Sequence, residues 1–246
     1  MILENVDHKN ILFIDIETVP GCDAFESLPE ELQALWLQKS KYLTKENEED
    51  NHYSDRAGIY AEFGKIICIS VGYISQLDSG EKGMRLKSFY GDDEKEVLQD
   101  FSNLITKHYN NPSQCFICGH NIKEFDIPYI CRRMLIHRLA IPSLLNISGK
   151  KPWEVKYLLD TLELWKFGDF KHYTSLNLLA AIFNIPSPKD DIDGSMVRDV
   201  YYEENDLERI VTYCEKDVVT VANVLLSMDG ADTISYENVV SATMKE

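Results

Sequence analysis

The first strong pattern along the chain is Asn10-Ile11-Leu12-Phe13-Ile14-Asp15-Ile16-Glu17-Thr18-Val19-Pro20, an apolar, β-branched run closed by a proline. Such a run predicts a buried strand. Side chains alternate across a strand, so Asp15 and Glu17 share one side while Ile14 and Ile16 share the other. Leu28 to Leu43 has helical apolar spacing (Leu28, Leu32, Leu35, Trp36), with Pro29 near its start. Lys45 to Asp55 is dense in charged and polar residues and predicts a mobile surface loop, within a charged insertion over about 39–62. Phe63 to Ser75 reads as a long strand, Gln76 to Gly83 as a turn and Met84 to Tyr90 as the returning strand. The first three strands would then form a meander.

Asp92 to His108 is amphipathic with an acidic first turn, which suits the positive end of a helix dipole. Cys115 to Cys118 predicts a short fourth strand, and Pro128 opens a helix running to about Leu139. Val155 to Leu159 gives a fifth strand ending at Asp160. Short helices are expected around Leu162–Phe167 and Ser175–Phe183, then a polar loop from Pro186 to Gly194. Leu207 to Met228 is a long closing helix, followed by a tail without clear pattern. A meander followed by helices alternating with strands predicts an α/β fold with a mixed five-stranded sheet. No repeat or glycine-serine linker marks a second domain, so residues 1–246 are expected to form one.

The chain's 246 residues, 44% of them hydrophobic, suffice for a substantial core without staples. Lys and Arg number 25 against 41 Asp and Glu, a net charge of -16. That disfavours gripping duplex nucleic acid through a broad basic face, yet leaves room for taking a short single-stranded end into a metal-filled pocket. The residues before Ile11 carry no apolar signal core and no apolar run is long enough to span a bilayer. A soluble cytoplasmic protein with no membrane partner is the expectation. Cys22, Cys68, Cys115, Cys118, Cys131 and Cys214 sit mostly in apolar stretches, as buried reduced thiols do. Cys115 and Cys118 have zinc-like spacing with His120 nearby, but they occupy an expected strand and no second pair follows.

Three segments carry candidate chemistry. Asp15 and Glu17 place like charges side by side at a mostly dry strand end, where they repel and resist desolvation. A divalent cation between them removes that cost, and oxygen donors suit Mg²⁺ or Mn²⁺; the bland alternative is a strand end whose acids are simply solvated. Asn121-Ile122-Lys123-Glu124-Phe125-Asp126-Ile127-Pro128-Tyr129-Ile130 follows the fourth strand and enters a helix, a position that projects into the crevice of an α/β sheet. Asp126 also reads as a plain helix cap, and Phe125 as either an exposed or a core ring. In the last helix, Tyr213 and Asp217 are four apart and share a face, as a hydrogen-bonded pair would.

Taken together, Asp-x-Glu on a first strand, Asn-x-x-x-Phe-Asp before a helix and Tyr-x-x-x-Asp on a late helix resemble the three exonuclease motifs of the DEDD superfamily. That superfamily has a ribonuclease H-like fold. Tyrosine four before the last Asp resembles the DEDDy branch, and Thr212 stands where the histidine branch has its His. The second motif is similar to that of the proofreading exonuclease domain of family B DNA polymerases. More narrowly, the chain resembles the predicted stand-alone bacterial 3′-5′ exonucleases related to that domain. The likeness covers roughly Asn10 to Met228, including the Phe63–Ser70 strand and the Asp191-Ile192-Asp193-Gly194 loop.

The resemblance implies a nuclease using two divalent cations, Mg²⁺ or Mn²⁺, that removes nucleoside 5′-monophosphates from single-stranded 3′ ends. Asp15, Glu17 and Asp217 would hold one ion, and Asp15 would bridge to a second completed by Asp126. Tyr213 would orient the attacking water. Thr18 would contact the terminal nucleotide, and Asn121 and Phe125 the penultimate one. Lys65, Lys123 and Lys171 are candidate cations for the strand, though each reads first as a solvated surface lysine; Asp160 reads as a helix-start acceptor. With no length left for a polymerase palm, a free-standing enzyme or a subunit recruited by a replication or repair protein is expected, in proofreading or DNA repair. An RNA-processing exonuclease with the same site and a catalytically silent nucleic-acid-binding module are the rivals, since nothing in the sequence separates ribose from deoxyribose. A ribonuclease H-like endonuclease is disfavoured by the second and third motifs.

Overall fold

A computed structural model describes residues 3, 6–43, 51–169, 173–186 and 192–243. Its strands are β1 (Ile11–Pro20), β2 (Gly64–Gln76), β3 (Lys82–Tyr90), β4 (Phe116–Gly119), β5 (Leu158–Asp160) and β6 (Val239–Ser241). They form one sheet in the order β5-β4-β1-β2-β3-β6. β1, β2 and β3 make the expected antiparallel meander, and β4 and β5 add to β1 in parallel. This is the mixed α/β, ribonuclease H-like arrangement.

The sheet has six strands rather than five. The tail after Met228, expected to be irregular, supplies β6, which lies parallel to β3 over Met84–Leu86. A three-residue strand leaves no periodic signal, and its partner β3 lies far back along the chain. The buried Asn223 amide donates to the Ile234 carbonyl (3.1 Å) and accepts from the Ile234 amide (2.7 Å).

Helices α1 (Glu30–Ser40), α2 (Tyr53–Arg56), α3 (Glu94–His108), α4 (Asp126–Ile136), α5 (Thr161–Lys166), α6 (Leu176–Ile182), α7 (Val197–Tyr202) and α8 (Leu207–Met228) surround the sheet. The described part of the expected 45–55 loop is largely helical, because α2 and the 3-10 turn Ala57–Ile59 are packed down. Tyr53 and Ala57 are buried with Trp36 and Phe63, and the Trp36 indole donates to the Asn51 carbonyl at 2.8 Å. Trp36 meets Tyr53 and Phe63 edge-on, with ring centres 5.4 and 5.1 Å apart. Aromatic residues separated along the chain hold this segment, whose local composition is that of a loop. Residues 44–50 lie outside the described ones.

Alternation along β1 divides the core. Leu12, Ile14 and Ile16 pack with Leu98, Phe101 and Ile105 of α3 and Ile127, Ile130 and Met134 of α4. Ile11 and Phe13 pack on the other face with Val218, Val221, Ala222 and Leu225 of α8. Each such side chain contributes roughly 1.5–3 kcal/mol by leaving water, so the central strand is fixed from both sides. No helix among the described residues is long and apolar enough to cross a membrane.

Gly119, where β4 gives way to the Asn121 loop, is needed for closeness. A Cβ there would stand 1.8 Å from Ile122 Cγ2 and 2.9 Å from the Ile14 carbonyl oxygen. Gly119→Ala is therefore expected to lower stability by about 1–3 kcal/mol, read as a fall in the urea midpoint at unchanged slope. An unchanged midpoint would show that the loop relaxes freely.

Candidate active site

Along β1, β4 pairs with Ile11–Phe13, so β1 runs on past it. The edge it leaves open meets the start of α4. There the Asp126 carboxylate accepts the Ile16 backbone N–H as well as its own. Asp126 is therefore not the helix cap that the sequence also allowed, since Phe125 holds the N-cap position of α4; its side chain lies against β1 at the residue between Asp15 and Glu17.

On the α8 side, Asp15 Oδ2 accepts from the Cys214 thiol at 3.3 Å. Donor atoms of Asp15, Glu17 and Cys214 lie within 4.8 Å of one another. One turn along α8, the Tyr213 hydroxyl donates to the Asp217 carboxylate. Glu17 and Asp126 are buried, and Asp15, Tyr213 and Asp217 are partly so. Past Glu17 the β1–β2 register slips, Glu17 facing Cys68 but Thr18 facing Ile66. This bulge puts Ile67 and Cys68 on the same side of the sheet, Ile67 against α7 and Cys68 against Cys214. Bulges commonly re-aim side chains beside a site in this way.

Crowding acids in a dry corner shows in their proton affinities. Burial pushes the Asp15 carboxyl well up, and Glu17, Asp217 and Asp126 push it further. Burial also raises Glu17, with Asp217 the next influence. Asp126 is pushed up to about 7 by burial, its backbone hydrogen bonds opposing. Among the described residues no lysine or arginine acts on any of the three. Oxygen donors of like charge gathered in one corner fit a hard divalent ion such as Mg²⁺ or Mn²⁺. Cys214 stands apart from that donor set. Burial and Cys68 push its thiol well up, so it stays protonated and acts as a hydrogen-bond donor to Asp15.

The remaining expected residues are placed as follows. The Thr18 hydroxyl donates to the Gly58 carbonyl at 2.9 Å, as does the Tyr129 hydroxyl at 2.8 Å. Thr18, Phe125 and Glu17 line a cavity of about 340 Å³ together with Gly58, Ile59 and Arg198. Phe125 is half-buried against the Tyr129 ring, 5.4 Å centre to centre. Asn121 adopts a left-handed conformation (φ 65°), and its amide donates to Asp160 Oδ1 at 2.9 Å. It is not among the residues lining that cavity. Asp160 has the structural role expected, capping α5 through the amides of Leu162 and Glu163, and it also holds the Lys123 amide.

Lys65 is no solvated lysine: its ammonium donates to Tyr201 at 2.9 Å over that ring, and burial lowers its proton affinity. Lys123 pairs with Glu163, and Lys171 lies outside the described residues. The cysteine-histidine set does not converge, since the His120 ring is held by Thr161 and the Thr174 carbonyl at 2.9 Å each. Sequence reasoning missed Cys214 as a donor to Asp15, and Arg198, which reaches the cavity while paired with Asp23, Asp199 and Glu203. It also missed Tyr173, whose hydroxyl feels Asp126 and Asp160. None of these has a spacing signal.

The strand order and the acids converging past the end of β4 define a ribonuclease H-like domain with a candidate metal centre. Residues 59–240 match the family described as predicted 3′-5′ exonucleases related to the exonuclease domain of PolB, and the chain belongs to that family. The matched span holds Asp126, Tyr213 and Asp217 but begins after β1, so Asp15 and Glu17 precede it. Among solved structures, the family B DNA polymerase from the hyperthermophilic archaeon Pyrobaculum calidifontis aligns with a TM-score of 0.47 at 15% identity. The alignment covers 89% of this chain and 25% of the polymerase, so the chain spans about a quarter of that protein. No curated protein matches.

The raised carboxyls tie stability to pH with a definite sign. Asp126, ordinarily at 3.8 and here about 7, keeps its proton in the folded chain where the unfolded chain has released it. Its contribution therefore falls as pH rises from about 4 through 7, and a bound cation replaces the missing proton. At pH 8, Mn²⁺ at a hundred times its Kd should raise the melting temperature by on the order of 5–10 °C, and by clearly less at pH 5.5. Asp126→Asn should raise metal-free stability at pH 8. Equal Mn²⁺ shifts at both pH values would contradict this account of the cluster.

Proposed function

We propose that this protein is a metal-dependent 3′-5′ exonuclease that shortens single-stranded nucleic acid, DNA in preference to RNA, and releases nucleoside 5′-monophosphates. The reading rests on one observation: Asp15, Glu17, Asp126 and Asp217, from β1, α4 and α8, act on one another across a single corner, with Tyr213 bonded to the last of them. Asp15, Glu17 and Asp217 would hold one Mg²⁺ or Mn²⁺, and Asp15 with Asp126 a second. Such a pair supplies electrophilic stabilisation of the transferring phosphoryl group and makes an attacking water more acidic.

The chain's own groups do the positioning. The Ile16 amide holds the Asp126 carboxylate against β1. Burial and the carboxylates, Asp217 first, push the Tyr213 phenol well above its usual range, so it works as a hydrogen-bond donor and acceptor that orients water rather than as an anion. Phe125 offers the penultimate base an apolar wall beside Glu17. Thr18, its hydroxyl proton committed to Gly58, offers the terminal nucleotide its backbone and the hydroxyl lone pairs. Asn121 would contact the adjoining sugar or phosphate. The enzyme would act in the cytoplasm on free 3′ ends, in DNA repair or proofreading.

Digestion of 3′- and 5′-labelled single-stranded DNA and RNA with Mn²⁺ tests this directly. Single-nucleotide laddering from the 3′ end is expected, faster on DNA, and Asp15→Ala should lower the rate by at least about 1,000-fold. Internal cuts, or an Asp15→Ala variant as active as the parent, would overturn the assignment. Faster RNA laddering would make it an RNA-processing enzyme.

Tyr213→Phe separates positioning from binding. It should lower kcat by about 10–100-fold with KM nearly unchanged, because the lost hydroxyl touches water rather than the nucleotide. A variant affected only in KM would assign Tyr213 to substrate binding.

A further inference from the structure

The sheet face covered by α3 is left open towards the start of β1. Leu12, Tyr73 and Arg85 form one cross-strand row over β1, β2 and β3, and α3 stops at His108 beside it. The result is a concavity of about 540 Å³. Leu12, Val71, Leu104 and Tyr109 make its floor, and Lys9, Arg85, Lys87 and His108 its rim. Tyr73, 42% exposed, stands in its mouth.

The rim reverses the charge of the protein. The chain carries 41 acidic against 25 basic residues, yet among the described residues no Asp or Glu lines this concavity. Arg85 and Lys87 are two apart on β3, so they rise from the same side of the sheet. Both are exposed, and among the described residues neither is paired with a carboxylate. Lys9 is held only by the Gln76 side-chain oxygen at 3.1 Å, and the Lys87 ammonium stands 5.0 Å from the Phe89 ring centre. Unpaired cations around an apolar floor complement a ligand that is anionic at its edges and apolar at its centre. The volume takes one or two large side chains.

A nucleic acid strand suits this place poorly. A polyanion needs a basic track longer than one rim. A short acidic segment needs only two or three cations. We propose that this concavity docks an acidic peptide segment of a partner protein, its carboxylates on Arg85, Lys87 and Lys9 and one large apolar side chain on the Leu12–Leu104–Tyr109 floor. The carboxylate cluster opens on the opposite face of β1, towards its far end, so the docked segment leaves that site free. If the nuclease reading holds, the docking surface brings the enzyme to its strand; the binding itself does not depend on that reading.

Fluorescence anisotropy with a fluorescein-labelled Asp-Asp-Glu-Asp-Leu-Phe peptide at 50 mM salt is the test. Binding with a Kd on the order of 10 μM is expected. It should weaken at least tenfold in the Arg85→Glu/Lys87→Glu double variant, in Lys9→Glu at the opposite rim, and when the peptide's Leu-Phe becomes Ala-Ala. Hydrolysis of short oligonucleotides and the melting temperature should stay as in the parent, since these side chains are exposed and remote from the cluster. No anisotropy change with the parent protein, or equal affinity in the charge-reversal variants, would overturn the proposal. So would a labelled hexathymidylate that competes for the same rim.

Discussion

Everything at the site depends on holding mutually repelling carboxylates at the dry end of a central strand. Left to themselves, Asp15, Glu17, Asp126 and Asp217 would lower their energy by moving apart into water. They stay because the elements carrying them are anchored elsewhere by apolar burial. β1 is gripped between α3 and α4 on one face and α8 on the other. Among the described residues, neutral donors reach the cluster: the Ile16 amide at Asp126, the Cys214 thiol at Asp15 and the Tyr213 hydroxyl at Asp217. A lysine or arginine at the same point would satisfy the acids and compete with any external cation. Neutral donors fix geometry without discharging the cluster.

The placement of α4 shows how far such anchoring extends. Its far half carries Arg133 and His137, which grip the buried Glu94 of α3: Arg133 Nε to Oε1 at 2.8 Å and His137 Nε2 to Oε2 at 2.7 Å. Glu94 Oε1 also accepts the Ile66 amide of β2 at 2.7 Å, and Arg133 donates to the Ala61 carbonyl at 2.8 Å. Burying such a network is costly, and its value is geometric, because each partner removed leaves another stranded. It pins α4 to the sheet on the side away from the cluster. Asp160 does the same for the loop that enters α4, accepting the amides of Asn121 and Lys123. Asp126 is thereby delivered to Ile16 by two polar hubs, and the charge of one of them, Asp160, also raises its proton affinity.

Much of this was legible in the sequence, and the reasons differ by element. Periodicity is local, so the meander and α8 from Leu207 to Met228 could be read from the apolar pattern. Alternation fixed the shared side of Asp15 and Glu17. The motif order supplied Asp126, Tyr213 and Asp217, residues that no local rule would join. What escaped was set by contacts between distant residues. β6 depends on β3, far back along the chain, and the 51–62 segment on Trp36. Lys65 reads as a surface lysine because its partner Tyr201 lies 136 residues on. Cys214 looks like any buried thiol until its closeness to Asp15 is known.

Charge distribution then constrains how a strand can be held. In the proposed reaction a polyanion approaches an acidic corner of an acidic protein, where attraction must come from the bound cations and from stacking rather than from a basic groove. Arg198, the cation that reaches the cavity beside Glu17, is already escorted by Asp23, Asp199 and Glu203 and adds little net attraction. Sequence-independent affinity for nucleic acid scales with the number of phosphates neutralised, so here it is weak. Arg85 and Lys87, unpaired among the described residues, stand instead on the other face, beside an apolar floor. In the proposed reading such a protein would separate chemistry from retention: the carboxylate corner would discriminate the end of a strand, and residence near that end would be left to a different surface.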